Sequence, residues 1–158
     1  MRSFRTVALV VGFGLAAAAP ARADFTAFLG ANITPANRQV RGLSVGAGLL
    51  VIGFELEYAF TPDDATATAP SLKTGMGNLL LQAPFSSFQP YITSGVGIFS
   101  ESLGAHSETN FGLNSGGGAK IALAGPIRLR LDYRVFRLGG GALYSPAHRV
   151  YAGLNVKF

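Results

Sequence analysis

The stretch Pro126-Ile127-Arg128-Leu129-Arg130-Leu131-Asp132-Tyr133-Arg134-Val135-Phe136-Arg137 decides the fold. Its odd positions are Ile127, Leu129, Leu131, Tyr133 and Val135, and its even positions are Arg128, Arg130, Asp132, Arg134 and Phe136. One set holds five apolar side chains; in the other, four of five are charged. A helix would scatter both sets around its circumference, whereas a strand sorts them by parity onto two faces. The stretch therefore reads as a strand with one apolar and one charged face.

The same parity extends outward from it. Val150, Ala152, Leu154, Val156 and Phe158 oppose Arg149, Tyr151, Gly153, Asn155 and Lys157. Phe111, Leu113, Ala119, Ile121 and Leu123 oppose Asn114, Gly116, Gly118 and Lys120. Upstream, Ile92, Val96 and Ile98 oppose Gly95 and Gly97; Phe54, Leu56, Tyr58 and Phe60 oppose Glu55, Glu57 and Ala59. Leu43, Val45, Ala47 and Leu49 oppose Gly42, Ser44, Gly46 and Gly48, and Phe25 to Ile33 alternates in the same way. Only residues 72–81 leave the two faces ambiguous. Eight strands result, separated by turn signals. The connections at 51–53, 84–89 and 124–126 are short or apolar; those at 34–39, 61–71, 101–110 and 139–147 are longer, polar or Gly-rich. Three turns alternating with four loops describe an antiparallel up-and-down meander.

A soluble sandwich would also alternate. Three features argue instead for a transmembrane β-barrel. The polar face carries Gly42, Gly46, Gly48, Gly95, Gly97, Gly116, Gly118 and Gly153, which suit the narrow interior of an eight-stranded barrel better than a solvated face. The apolar face has almost no charge, as lipid contact requires. Charged residues make up 13% of the chain, against roughly 25% in soluble domains. Aromatics would form two interfacial girdles. Phe25, Phe85, Phe88, Tyr91 and Phe158 are expected at the periplasmic rim, and Tyr58, Phe60, Phe99, Phe111, Phe136 and Tyr144 at the outer rim.

The N-terminus reads as a cleavable signal peptide over residues 1–23, with the barrel domain over 24–158. Arg2 and Arg5 precede an uncharged run from Thr6 to Ala19, and Ala21-Arg22-Ala23 forms an A-x-A site before Asp24. The run is too short for a spanning helix of about 20 residues. Removing Arg2, Arg5 and Arg22 leaves ten Lys and Arg against eight Asp and Glu. No basic cluster remains, so no nucleic-acid partner is expected. There is no Cys, which excludes disulfides and thiolate metal sites.

Met76-Gly77-Asn78-Leu79-Leu80-Leu81, a short turn, and Pro90-Tyr91-Ile92-Thr93-Ser94-Gly95-Val96-Gly97 resemble the central hairpin of the small outer-membrane barrels, the OmpA-like or opacity-porin-like family. The C-terminal strand, with Tyr151 and the terminal Phe158, resembles the signal read by the barrel-assembly machinery. The resemblance covers the chain after the leader and implies an outer-membrane location, lipid contact and surface loops open to an unknown partner. The peptidoglycan-binding module of larger relatives has no counterpart in the sequence.

Parity places Glu55, Glu57 and Asp132 in the lumen with Lys120, Arg128, Arg130 and Arg134, and with Lys73 and Lys157 as further members. Strands three and seven lie across the ring, so Glu55 and Glu57 are expected to meet Arg128 and Arg130. The preferred reading is a network of ion pairs that fills the lumen, in a structural or surface-interaction protein with no catalytic activity and no cofactor. One alternative is a small passive pore with anion preference. A second is a lipid A-modifying enzyme built on His106, Ser107 and Glu108, or on His148 near Ser145. Adjacent His106 and Ser107 would point to opposite faces of a strand, and all lie in expected loops. A third alternative is a soluble periplasmic ligand-binding barrel, which would turn the two faces inside out. Neither Gly116-Gly117-Gly118 nor Gly139-Gly140-Gly141 is followed by the Lys-Ser or Lys-Thr of a phosphate loop, and the two His lack the pairing of a metal site.

Overall fold

The computed structural model describes residues 22–85 and 87–158. These form β1 (Arg22–Asn32), β2 (Arg38–Leu49), β3 (Ile52–Thr61), β4 (Ser71–Gln82), β5 (Phe88–Leu103), β6 (His106–Ala124), β7 (Ile127–Leu138) and β8 (Ala147–Lys157). Each strand pairs antiparallel with its sequence neighbour, and β1 pairs with β8 to close an eight-stranded barrel. Closure leaves no unpaired edge, which hydrocarbon demands of any sheet that crosses it. The shortest strand has 10 residues, and about 9–11 suffice to cross a bilayer. Residues 1–21, with most of the expected signal peptide and Ala21 of its cleavage site, lie outside the described residues. Ala23 and Asp24 already lie in β1, where Ala23 pairs with Ala47 and Asp24 with Gly46.

The two faces sort by parity, with charge inside and apolar side chains outside. On β7, Arg128, Arg130, Asp132, Arg134 and Phe136 are buried, while Ile127, Leu131 and Tyr133 are exposed. On β3, Glu55 and Glu57 are 3% exposed, alternating with Phe54 at 62%, Leu56 at 66% and Tyr58 at 55%. A continuous exposed belt of Leu43, Val45, Val96, Ile98, Leu113 and Leu154 exceeds what a water-soluble monomer tolerates. The inverted, ligand-binding arrangement is therefore not the one adopted.

On β4, Leu72, Thr74, Met76, Asn78 and Leu80 point inward. Its parity is hard to read in sequence because its inward face is largely apolar and its outward face holds Gly75 and Gly77. Lys73 consequently faces outward, not into the lumen as expected. The girdle expectation also needs correction. Tyr91, Phe99 and Phe136 are buried inside the barrel, because each shares parity with lumen residues of its strand. Tyr58, Phe85, Phe88, Phe111 and Phe158 are exposed on its surface.

The connection expected at 101–110 is mostly strand. Pairing of β5 with β6 continues to Leu103 and His106, and Gly104, at φ +59°, supplies the positive backbone angle of the tight turn. Cross-strand hydroxyls sustain this extension, with Thr109 Oγ1 donating to Ser100 Oγ at 3.1 Å. The remaining long connections brace one another. The Arg38 guanidinium donates to the carbonyls of Pro62 at 3.0 Å, Thr34 at 3.3 Å, and Pro70. Tyr144 Oη donates to the Thr68 carbonyl at 3.1 Å. Beneath them, Leu72, Met76, Phe99, Phe136, Leu138 and Ala147 form an apolar cluster that caps the loop end of the lumen.

Candidate functional site

The centre of the lumen is built mainly by β3, β7 and β8. Arg130 reaches across from β7 and holds Glu55 of β3 with both terminal nitrogens, one at 3.2 Å. Its Nη2 also donates to Asp132 Oδ2 at 3.1 Å and its Nε to Tyr91 Oη at 2.8 Å. Arg134 donates to Glu55 Oε1 at 2.8 Å and, through Nε, to Asp132 Oδ1 at 2.9 Å. Its Nη1 lies 3.0 Å from Glu57 Oε2, a charge contact without hydrogen-bond alignment. Arg149 donates to Glu57 Oε1 at 3.0 Å and to Thr74 Oγ1 at 3.1 Å, with its guanidinium 4.2 Å from the Phe136 ring centroid.

Three guanidiniums thus face three carboxylates. Neutral donors occupy the remaining lone pairs. Ser44 Oγ and Asn78 Nδ2 donate to Glu55 at 3.0 and 3.3 Å, Tyr151 Oη donates to Glu57 at 3.3 Å, and Tyr91 Oη donates to Asp132. Charges taken out of water cost several kcal/mol each, and only such saturation offsets the loss. Glycine makes the saturation possible at two points. A Cβ on Gly118 would come within 2.6 Å of Tyr91 Oη. A Cβ on Gly42 would come within 2.8 Å of Phe28 Cε2, and that ring stacks on Tyr151 at 4.0 Å between centroids.

Not all expected members join this network. Glu55 meets Arg130 and Arg134, and Glu57 meets Arg134 and Arg149. The expected contact with Arg128 is not made, because Arg128 is the second residue of β7 and lies at the turn end. There its Nη1 donates to Gln89 Oε1 at 2.8 Å. Lys120 also lies at that end, paired with Asp24. Arg22, Asp24, Lys120, Arg128 and Lys157 line an open cavity of about 310 Å³. Arg149, Tyr91 and Tyr151, with the smaller Ser44, Thr74 and Asn78, are the network members that sequence reasoning passed over. Arg149 and Tyr151 carried a signal, since both share parity with Gly153 and Asn155.

The His and Ser candidates are not assembled into a relay. His106 Nε2 lies 3.1 Å from Glu101 Oε1, and the same carboxylate accepts from Leu143 N at 2.6 Å. Ser107 pairs with Ser102 on the exposed face. His148 Nδ1 lies 2.7 Å from Tyr133 Oη, and Ser145 Oγ accepts from Leu138 N at 3.0 Å. Among the described residues, no hydrogen bond joins a serine hydroxyl to a histidine.

A closed barrel with an apolar exterior and a charged, packed interior is the architecture of a membrane-spanning sheet. A family model described as "Outer membrane protein beta-barrel domain" matches residues 6–158. The chain belongs to that family. Its place is the outer membrane, where the short turns of such barrels face the periplasm and the longer loops the exterior. Among solved structures, Neisserial surface protein A (NspA) is 20% identical, with 87% of this chain and 96% of that one covered at a TM-score of 0.65. The N-terminal β-barrel domain of Pseudomonas aeruginosa OprF is 14% identical, covering 87% and 97% at a TM-score of 0.66. The outer membrane enzyme PagL is 16% identical, covering 85% and 98% at a TM-score of 0.53. A search of curated proteins gives no match. Likeness at this level shows the fold. A surface protein and an enzyme share that fold, so activity must be argued from side chains.

Proposed function

We propose that this protein is a non-catalytic outer-membrane barrel, closed inside by its ion pairs, that anchors surface loops for a structural or interaction role. One observation carries the reading: Arg130, Arg134 and Arg149 meet Glu55 and Glu57 across the lumen, with Asp132 held between the first two on β7, all buried. An open anion path would leave guanidiniums hydrated and free to exchange partners, whereas here each is held by at least one carboxylate. The separation of the Ser and His side chains supports the non-catalytic half of the reading, since a nucleophile needs its base within hydrogen-bond reach.

The mature chain begins at Asp24 in this account. Asp24 is the first residue of β1 with a lumen partner, Lys120, so cleavage after Ala23 spares the pairing. Tyr151 and Phe158 serve the assembly machinery before the last strand is paired. In the finished barrel Tyr151 is packed against Phe28 and Phe158 is exposed.

Swelling of liposomes that carry the refolded protein tests the closed interior. Swelling in a small sugar at the rate of empty liposomes is expected, and faster swelling would favour the passive pore. Lipid A from overproducing cells should keep its mass; loss of an acyl chain would favour the enzyme.

A further inference from the structure

The outward face of the strands is apolar along most of its length, and its charges are all of one sign. Among the described strand residues, the outward-facing Lys, Arg, Asp and Glu side chains are Arg41, Lys73 and Arg137. All three lie near the loop end of their strands, Arg41 fourth in β2, Lys73 third in β4 and Arg137 next to last in β7. The turn end is different. Its outward side chains include Leu81, Phe88, Leu123, Ile127 and Phe158, which are exposed and apolar. This asymmetry places positive charge at one interface only.

Two of these cations form a unit. Arg41 of β2 is paired with Phe60 of β3, and Phe60 with Lys73 of β4. The three side chains therefore stand side by side, with the two cations' Cα atoms about 10 Å apart across two strand spacings. The Arg41 guanidinium lies 5.5 Å from the Phe60 ring centroid, which orders it and leaves its donor edge free. Neither Arg41 nor Lys73 is joined to a carboxylate among the ion pairs of the described residues. The row continues through Ser100, paired with Lys73, to Thr109. It thus offers a guanidinium fork, an ammonium and two hydroxyls at the height where strands leave hydrocarbon for head groups.

We infer that Arg41, Phe60 and Lys73 form a binding site for the phosphate of an outer-leaflet glycolipid of the lipid A type. A phosphate monoester presents several anionic oxygens to a fork and a point charge together, and such charge-assisted bonds are the strong ones. A neutral or zwitterionic head group would give the unpaired cations no comparable gain. The site rests on the outward register alone and stands whether or not the lumen conducts.

Native mass spectrometry of the refolded barrel, released from detergent in the presence of lipid A or its dephosphorylated form, tests the site. The wild type is expected to retain lipid A about tenfold better than the dephosphorylated form. R41Q/K73Q should lose that preference, R41K should keep part of it, and R137Q, outside the cluster, should leave it unchanged. Heat-modifiable gel mobility confirms that each variant is folded. Equal retention by wild type and R41Q/K73Q, equal retention of the two lipid forms, or an equal loss in R137Q would overturn the assignment.

Discussion

The middle of the lumen and its periplasmic mouth are lined by similar residues, yet only the middle is sealed. In the middle, three guanidiniums meet three carboxylates, and Tyr91 and Tyr151 fill the space between them. At the mouth, Lys120, Arg128 and Lys157 share a cavity of about 310 Å³ in which Lys120 takes the carboxylate of Asp24. Sealing therefore depends on a match of charge number and on bulky partners that fill the space between the charges. Charge that is merely directed inward leaves an open funnel.

Breaking the middle should cost far more than disturbing the mouth. Glu55→Ala takes from Arg130 and Arg134 the carboxylate they share, leaving three guanidiniums to two carboxylates, and removal of one partner of a buried pair costs roughly 3–5 kcal/mol. Urea titration followed by heat-modifiable gel mobility should show the loss, and a change under about 1 kcal/mol would mean that water already reaches those guanidiniums. Gly118→Ala keeps every charge but drives a Cβ against the Leu131 carbonyl oxygen of the neighbouring strand and onto Tyr91 Oη. The same titration should lose about 1–3 kcal/mol, the range for overpacking. Arg128→Ala removes a single bond to a neutral Gln89 and should cost about 1 kcal/mol. Lys157→Gln at the open rim should stay within about 0.5 kcal/mol. A reversed order, with Arg128 or Lys157 above Glu55, would abolish the distinction between the two regions.

A loop outside the membrane offers a smaller contrast. Asp64 Oδ1 accepts from Thr66 Oγ1 at 2.6 Å and from the amides of Thr66 and Ala67 at 3.0 and 3.3 Å. The Thr66 hydroxyl, foremost, and these amides hold its carboxyl below the ordinary carboxylate value of 3.8. A lowered folded value means that the contribution is full above the unfolded value and fades as pH falls through the folded one. Measured against the intrinsic rate at each pH, amide exchange at Thr66 and Ala67 should therefore be protected near neutrality and lose that protection only in acid. Asp64→Ala should remove the protection near neutrality and change it little in acid.

The barrel was legible because lipid on one side and a packed lumen on the other force a strict parity. β7 and β8 show it almost residue by residue. β4 did not, because the apolar run Leu79-Leu80-Leu81 carries no alternation and outward Gly75 and Gly77 carry no side chain. Membership of the charged face was equally legible for Glu55, Glu57, Asp132, Arg130 and Arg134. Their pairing was legible only in part. Glu55 does meet Arg130, but strand tilt sets which residues meet across a barrel, and Arg134 and Arg149 stand where Arg128 was expected. The inward aromatics were missed for a related reason: Tyr91 and Phe136 are apolar enough for a girdle, and only their parity marks them as lumen residues.

Single-channel recording in planar bilayers tests the sealed middle most directly, with wild type and the double variant E55A/R130A side by side. The wild type is expected to give no unitary steps, and the variant measurable conductance once both halves of the central pair are truncated. Steady unitary conductance from the wild type, equal to that of the variant, would contradict it.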